Sequence, residues 1–317
     1  MAEQSDNEYQ FLHSHLLGLS DYSADDILYV LEQAKTFREV LDRPVPKIPT
    51  LRDKTIVNLF YENSTRTRIS FELAQRRMGA DVVNFSAGTS STRKGETLKD
   101  TIQNISSMKI DMVVVRHEGP GVPHFLTRCV DASIINAGDG AHEHPTQALL
   151  DLFTIQQVHP DLQGKKIAII GDISYSRVVR SNIIGLKKVG ADVTVCGPKT
   201  LMPAFVESMG ANVSWNLDET LAWCDVAMAL RIQMERMGRV TDLFPSLREY
   251  HHLFGIKMEH LEKYPDFIVM HPGPINRGVE MESRVADSNR AVILNQVTNG
   301  LAVRMAVLYL LSGRIRA

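Results

Sequence analysis

The stretch TIVNLFYENSTRTRISFELA, residues 55–74, decides the fold. Its first six residues, TIVNLF (55–60), are typical of a buried strand, because a short apolar run bounded by polar residues suits a strand covered on both faces. A polar turn follows, and the spacing of apolar residues over about 66–78 predicts an amphipathic helix. A strand that leads through a polar turn into a helix is the repeating unit of a parallel α/β sheet.

The same alternation of strand and helix recurs along the rest of the chain. Apolar runs that predict further strands are DVVNFS (81–86), MVVVRH (112–117), SIINAG (133–138), KIAIIGD (166–172), ADVTVCG (191–197), CDVAMALR (224–231) and FIVMHPG (267–273). Helical periodicity lies between them near 97–108, 123–130 and 177–189. We therefore expect an α/β fold of two domains, each a parallel sheet flanked by helices.

Two helix starts are suggested by polar residues beside apolar periodic segments. Ser23, with Asp26 three residues later, predicts a capping box that opens a helix through about Leu41. Asn299 is predicted to open a strongly apolar last helix, GLAVRMAVLYLLSGR, which must dock on another part of the molecule.

The domain boundary is expected near Pro145–Thr146, at the start of the helix TQALLDLFTIQQ, which would bridge the domains. The last helix is expected to return to the first domain. The predicted division is residues 1–145 plus 300–317 for one domain and 146–299 for the other.

Composition limits the class of protein. The 317 residues are 44% hydrophobic and 23% charged, enough for ordinary globular cores, and the formal net charge of -2 argues against a nucleic-acid-binding protein. The three cysteines are sparse, beside apolar runs, and indicate buried thiols in a reducing compartment. With no signal-like start and no apolar run near ~20 residues, we expect a soluble cytoplasmic protein without membrane contact.

Ligands of open parallel sheets bind beyond the carboxyl ends of the strands, so the polar residues that follow each strand are the candidate site. Ser64, Thr65, Arg66 and Thr67 stand where a strand meets a helix. Free N–H groups at a helix start, hydroxyls and a guanidinium suit a phosphate. The alternative is an ordinary helix cap beside solvated arginines.

Further cations follow other strands. Ser90 and Lys94 lie on a polar loop that could act as a lid over an anion or could simply be solvated. The cations that follow strands are Arg66, Lys94, Arg116, Arg177 and Arg231. Each alone could form a surface salt bridge, but together at one edge they would create a cationic cleft for a small molecule with several negative charges.

Other kinds of site receive less support. His142 and His144 flank Glu143, but their spacing on a loop is not that of a helical metal motif, and we expect no metal. Gly171 ends a strand without further glycines of a dinucleotide fingerprint, which disfavours a generic NAD-binding protein and indicates no cofactor.

Taken in order, these motifs resemble the aspartate/ornithine carbamoyltransferase family over nearly the whole chain. The matching motifs are STRTR (64–68), SSTRKGET (90–97), RH (116–117), HPTQ (144–147), RVVRSN (177–182), RIQMER (231–236) and HPGPINRG (271–278). The SSTRKGET and RIQMER segments look like the aspartate branch. The ornithine branch carries a cysteine in an HCLP turn, where this chain has Gly273.

The resemblance implies a role for each matching residue. The phosphate of carbamoyl phosphate would be held by Ser64, Thr65, Arg66 and Thr67. Its carbonyl oxygen would be polarised by Arg116, His144 and Thr67. Its amide nitrogen would be fixed by Gln147 and the carbonyls of Pro272 and Gly273. The carboxylates of aspartate would be held by Arg177, Arg231 and Gln233. Ser90 and Lys94 would come from the neighbouring subunit, with Lys94 reaching both substrates.

The implied reaction transfers the carbamoyl group to the amine of L-aspartate, an early step of pyrimidine biosynthesis. The implied catalytic residues are Arg66, Thr67, Arg116, His144 and Lys94. The implied assembly is a homotrimer with shared sites, extended in some relatives to a dodecamer with dihydroorotase or its homologue, or joined by regulatory chains. The alternatives are an ornithine-type transcarbamoylase and a non-catalytic scaffold for dihydroorotase.

Overall fold

The structure is a computed structural model that describes residues 9–86, 97–233 and 246–313. Within these residues the chain forms two α/β domains, and each domain is built on its own parallel sheet. The first sheet contains β1 (Thr55–Phe60), β2 (Asp81–Ser86), β3 (Met112–His117) and β4 (Ser133–Asp139). The second contains β5 (Lys166–Ile170), β6 (Asp192–Cys196), β7 (Asn212–Ser214), β8 (Val226–Ala229) and β9 (Ile268–Met270).

Helices flank both sheets. The described helices are α1 (Ala24–Leu41), α2 (Thr65–Arg77), α3 (Leu98–Ser106), α4 (Val122–Leu126), α5 (Pro145–Val158), α6 (Arg177–Lys188), α7 (Leu217–Trp223), α8 (Leu247–Phe254), α9 (Met258–Lys263), α10 (Ser283–Ala286) and α11 (Ile293–Ser312). The predicted two-domain α/β fold is confirmed.

Strand order places the carboxyl ends together. The order is β2-β1-β3-β4 in the first sheet and β7-β6-β5-β8-β9 in the second. Each neighbouring pair is parallel. In a parallel sheet the polar residues that follow each strand therefore emerge along one edge.

The prediction that all strands are buried is wrong for β2. Asp81, Val83 and Asn84 are exposed, and Val83 keeps 49% of its surface accessible. In the described part of the chain β2 is an edge strand of its sheet, paired with β1 on one side, so the apolar content of DVVNFS does not enclose it. The sequence reading also missed β7, an edge strand of only three residues that is too short to show periodicity.

The predicted capping box at Ser23 is confirmed. The backbone N–H of Asp26 donates to Ser23 Oγ at 3.0 Å, and the Ser23 N–H donates to Asp26 Oδ2 at 2.8 Å. These reciprocal bonds satisfy two donors that a helix start leaves without intrahelical partners. The helix ends at Leu41, as its periodicity predicts.

The prediction that Asn299 opens the last helix is wrong. α11 begins at Ile293, six positions earlier, and Asn299 is buried within it. The Asn299 side-chain Nδ2 donates to Thr154 Oγ1 at 2.9 Å and to Gln157 Oε1 at 2.8 Å, both on α5. Its amide therefore joins two helices instead of capping one.

Two long helices lie between the sheets. α11 packs against α1, α2 and α5, so the end of the described chain lies on helices that flank the first sheet. α5 packs against β4 and α1 on one side and against α6 of the second sheet on the other. α5 is buried along most of its length and α11 along one face, so the two helices pack elements of both sheets together.

The burial of the cysteine thiols and the length of the apolar helices can be compared with the expectations from the sequence. All three cysteines are free; Cys196 and Cys224 are buried, whereas Cys129 is only half-buried, so the prediction of buried thiols is wrong for that residue. In the part of the chain that the structure describes, no helix combines the length and apolarity required to cross a membrane.

Candidate active site

A cavity of about 360 Å³ lies at the carboxyl ends of both sheets. Its lining is Glu62, Asn63, Ser64, Thr65, Arg66, Thr67, Arg116, His144, Gln147, Ser176, Arg177, Val178, Arg231, Gln233, Pro272, Gly273 and Pro274. The structure thus brings together all twelve described residues that the sequence singled out. The remaining two, Ser90 and Lys94, lie outside the described residues.

Three helices begin at the cavity wall. Ser64, His144 and Ser176 are the N-cap residues of α2, α5 and α6, and none of these side chains caps its own helix. A helix start carries free N–H donors and a partial positive charge, so three of them aimed at one space favour anionic ligands.

Glu62 was missed by the sequence reading, although it stands in the turn directly after β1. Its carboxylate accepts from Arg116 Nη2 at 2.8 Å, and its Oε2 accepts from Arg177 Nη2 at 2.6 Å. Arg116 also donates to the carbonyl of Ala137 at 3.0 Å. Because Arg116 lies at the carboxyl end of β3 and Arg177 opens α6, one carboxylate joins arginines of the two domains across the cavity.

Glycine at position 138 makes room for these two guanidinium groups. Gly138 has φ +116°, and a Cβ there would lie 2.9 Å from Arg177 Nη1 and 3.1 Å from Arg116 Nη1. The first distance is shorter than real Cβ atoms show and the second is tighter than most, so a side chain here would push the arginines away. The sequence SIINAGDG contains this glycine, but only the fold shows what it lies against.

The arginines of the cavity lie close enough to influence one another. Burial, then the neighbouring Arg177, lowers the pKa of Arg116 to about 10, and Glu62 opposes the change. Desolvation and the charge of Arg231 lower the pKa of Arg66. An anion that binds among these guanidinium groups would offset their mutual repulsion.

Two histidines beside the arginines are held neutral. Burial, together with Arg116, Arg304 and Arg177, lowers the pKa of His144 well below its ordinary value. Burial, with Arg66 and Arg231, lowers the pKa of His271 to about 3. A neutral imidazole can donate one N–H to a developing negative charge without first losing a proton.

Arg304 is a further cation that the sequence reading did not single out. It lies on α11, is only 4% exposed, donates from Nη1 to Ser70 Oγ at 3.0 Å, and stacks over the ring of Phe71 at 5.0 Å. Burial lowers its pKa to about 10. An arginine within the apolar run GLAVRMAVLYLL was the available signal, since burying a charge is costly.

The described residues contain no group of three or more His, Cys, Asp or Glu side chains arranged to hold a metal ion. His142, one of the two histidines weighed as a ligand, instead places Nδ1 3.0 Å from Asp139 Oδ2.

Comparison with known proteins places this fold and site in a class. Residues 14–157 match the family model "Aspartate/ornithine carbamoyltransferase, carbamoyl-P binding domain", and residues 163–311 match its "Asp/Orn binding domain". The chain belongs to the aspartate/ornithine carbamoyltransferase family and is a transferase. Within that family it is 58% identical over 303 residues to the aspartate carbamoyltransferase catalytic subunit of Christiangramia forsetii, covering 95% of this chain and 97% of the relative.

Solved structures show the same likeness. The aspartate transcarbamoylase of Trypanosoma cruzi in complex with N-(phosphonacetyl)-L-aspartic acid is 31% identical, with a TM-score of 0.84, over 93% of this chain and 94% of that one. The ornithine carbamoyltransferase of Pyrococcus furiosus is 28% identical, with a TM-score of 0.82, over 95% and 98%. The backbone fold therefore does not by itself distinguish the two branches.

Proposed function

We propose that the protein transfers the carbamoyl group of carbamoyl phosphate to the amine of L-aspartate, giving N-carbamoyl-L-aspartate and phosphate. The observation that carries this proposal is the charge of the cavity. Among the described residues, the cavity is lined by four arginines, Arg66, Arg116, Arg177 and Arg231, and by one carboxylate, Glu62. Carbamoyl phosphate and aspartate each carry more than one anionic oxygen for recognition, on the phosphate of the first and on the two carboxylates of the second, and each arginine can pair with such an oxygen.

The phosphate is assigned to the start of α2. There Ser64 Oγ donates to Thr67 Oγ1 at 3.0 Å, and Arg66 remains open to solvent beside them. The free N–H groups of the first turn, two hydroxyls and one guanidinium together match the oxygens of a phosphate. In the reaction Arg66 stabilises the negative charge of the departing phosphate.

The carbonyl oxygen of the carbamoyl group is assigned to Arg116, His144 and Thr67. Negative charge grows on this oxygen as the amine attacks the carbamoyl carbon. Donors fixed in advance at such an oxygen typically contribute about 10²–10³ in rate each. Arg116 is fixed by Glu62 and the Ala137 carbonyl, and the neutral His144 lies at the start of the buried α5. The departing phosphate accepts the proton that the amine loses.

Aspartate is assigned to Arg177, Arg231 and Gln233 of the second domain. These side chains suit the two carboxylates of aspartate. An ornithine-type substrate would bring a cationic side chain close to two arginines. The repulsion between these like charges disfavours binding of such a substrate. In this proposal residues 1–145 plus 300–317 bind carbamoyl phosphate and residues 146–299 bind aspartate, so closing the cleft brings the reactants together.

The assembly that completes the site is a homotrimer. Ser90 and Lys94 reach the cavity from the neighbouring subunit, and Lys94 contacts both substrates. The reaction supplies an early intermediate of pyrimidine biosynthesis in the cytoplasm. The trimer in turn is proposed to join a larger assembly, either with dihydroorotase or its homologue or with regulatory chains.

The test is product formation by the purified chain. Aspartate and ornithine are supplied in parallel with carbamoyl phosphate, and both carbamoyl products are quantified. Carbamoyl aspartate alone is the expected result. Citrulline would show that the arginines of the second domain do not select the amine, and no product from a folded trimer, even with dihydroorotase added, would favour a scaffold.

A further inference from the structure

Asp151 lies at the centre of a buried polar network behind the cavity. It is on α5, one helical turn beyond Gln147, and is fully buried. Its Oδ1 accepts from Gln147 Nε2 at 2.9 Å and from Gln296 Nε2 at 2.7 Å, and its Oδ2 accepts from Asn182 Nδ2 at 2.9 Å. These partners lie on three different helices, α5, α11 and α6, so the carboxylate joins elements on both sides of the cleft.

An ionised carboxylate can only accept hydrogen bonds, so it decides which end of each amide faces it. Gln147 must turn its nitrogen toward Asp151, and its oxygen Oε1 is then the acceptor that this cavity-lining residue offers to a ligand. Replacing the carboxylate by a group without acceptors would remove this preference, because either end of the amide could then face inward.

The same carboxylate orients the HPGP turn on the opposite wall. With its nitrogen on Asp151, Gln296 accepts the backbone N–H of His271 at its Oε1, at 2.9 Å. His271 Nδ1 in turn accepts the N–H of Gly273 at 2.7 Å. The N–H groups at this end of the turn are therefore used internally, and the carbonyls of Pro272 and Gly273 remain to meet a ligand.

We propose that Asp151 is a positioning residue that turns the acceptor atoms of Gln147 and of the HPGP turn toward the ligand. These acceptors suit the NH₂ group of a carbamoyl donor, which donates hydrogen bonds. They thereby select carbamoyl phosphate over an acyl phosphate of the same shape that has a methyl group in place of the NH₂. The inference rests on the proposed function, since it concerns the donor of that reaction. Asp151 acts through Gln147 and Gln296 and does not itself line the cavity.

The charge state of Asp151 agrees with this role. Burial raises the pKa of Asp151 to about 6, while hydrogen bonds from Asn182, Gln296 and Gln147 oppose the rise. The carboxylate is therefore ionised near neutral pH, where it orients the amides.

Three variants separate positioning from mere stability. Asp151→Leu removes all acceptors in a side chain of the same branching but larger volume, and Asp151→Asn keeps one oxygen. Thr154→Val, one turn further along α5, removes a buried hydroxyl that accepts from Asn299 but does not touch Gln147. Thermal unfolding of the trimer monitors the folding of each variant.

The measurement is the dissociation constant of carbamoyl phosphate relative to that of acetyl phosphate, obtained by calorimetry, together with steady-state KM and kcat. The expected loss of preference for carbamoyl phosphate is about tenfold in Asp151→Leu and smaller in Asp151→Asn, with Thr154→Val like wild type. The KM for aspartate at saturating donor should change less than the KM for carbamoyl phosphate.

The outcomes are distinguishable. If wild type makes carbamoyl aspartate and prefers carbamoyl phosphate, but the folded Asp151 variants keep that preference, the positioning role is wrong and the proposed function stands. If Asp151→Leu does not fold, an unchanged preference in Asp151→Asn overturns the inference. If wild type neither binds carbamoyl phosphate nor forms product, the proposed function fails, and the inference fails with it.

Discussion

Glu62 and Arg177 form an ion pair across the cleft, joining the turn after β1 to the first residue of α6. Arg177 is only 3% exposed, so its charge is taken out of water and depends on this carboxylate. Since Arg116, which lies in the same domain as Glu62, pairs with the same carboxylate, Glu62 fixes two cations that the proposed reaction uses.

Glu62→Gln should therefore lower turnover. The amide cannot balance two buried guanidinium groups, and both should leave the positions that the substrates require; misplaced groups of this kind cost about tenfold or more in rate. The measurement is kcat at saturating carbamoyl phosphate and aspartate. Glu72→Gln is the matched control, because Glu72 pairs with Arg76 on the surface of α2, and its loss should leave kcat within about twofold. Equal rates in the two variants would remove Glu62 from the site.

Gly138→Ala tests whether space for the arginines is what position 138 provides. The added methyl would meet both guanidinium groups, at 2.9 and 3.1 Å, so kcat should fall by about tenfold. The control is Gly164→Ala: Gly164 also has a positive φ, +69°, but nothing lies within 4 Å of a Cβ there. Both variants should lose roughly 1–2 kcal/mol of stability from backbone strain, and only the first should lose turnover. Parallel losses of rate would refute the steric explanation.

The strands that lead into the site could be predicted because their signals are local. The bounds of β1, β2 and β3 match the apolar runs to the residue. Parallel pairing then obliges the polar residues after the strands of one sheet to share one edge, which explains why residues as distant as Ser64, after β1, and His144, after β4, line one cavity. That step needs only the fold class and not the detailed packing.

The features that sequence reasoning missed depend on contacts between distant parts of the chain. Glu62 lies 54 residues from Arg116 and 115 from Arg177, and nothing in its own neighbourhood signals either pairing. Asn299 looks like a helix cap by residue type, yet tertiary contacts with α5 bury it. The exposure of β2 follows from strand order, which apolar content does not reveal.

The shared-site proposal predicts recovery of activity in mixed trimers. Arg66→Ala and Lys94→Ala subunits should each be inactive alone, because every site lacks one group. In a cyclic trimer that contains both, one site combines an intact Arg66 with an intact Lys94 of the neighbour, so a mixed trimer should regain about one third of wild-type activity. The mixed species are separated by a charged tag and assayed. Purified mixed trimers without activity would show that Lys94 does not cross between subunits.

Asp151 should make the stability of the protein depend on pH. Burial raises its pKa from an ordinary 3.8 to about 6, with Asn182, Gln296 and Gln147 donating to it and Arg304 nearby opposing the rise. Because the pKa is higher in the folded state, this group stabilises the fold most below 3.8, and the contribution is lost as the pH rises through about 6.

Asp151→Asn has no proton to exchange there and removes this dependence. The quantity to compare is the free energy of unfolding of wild type minus that of the variant. This difference should increase by about 1.4 kcal/mol as the pH is lowered from about 7.5 to about 5. Equilibrium unfolding in urea at a fixed protein concentration measures the difference, and the other titrating groups cancel because both proteins contain them. A difference that stays constant with pH would mean that Asp151 titrates alike in the folded and unfolded chains, and a decrease on acidification would mean that its pKa is lowered by its amide partners.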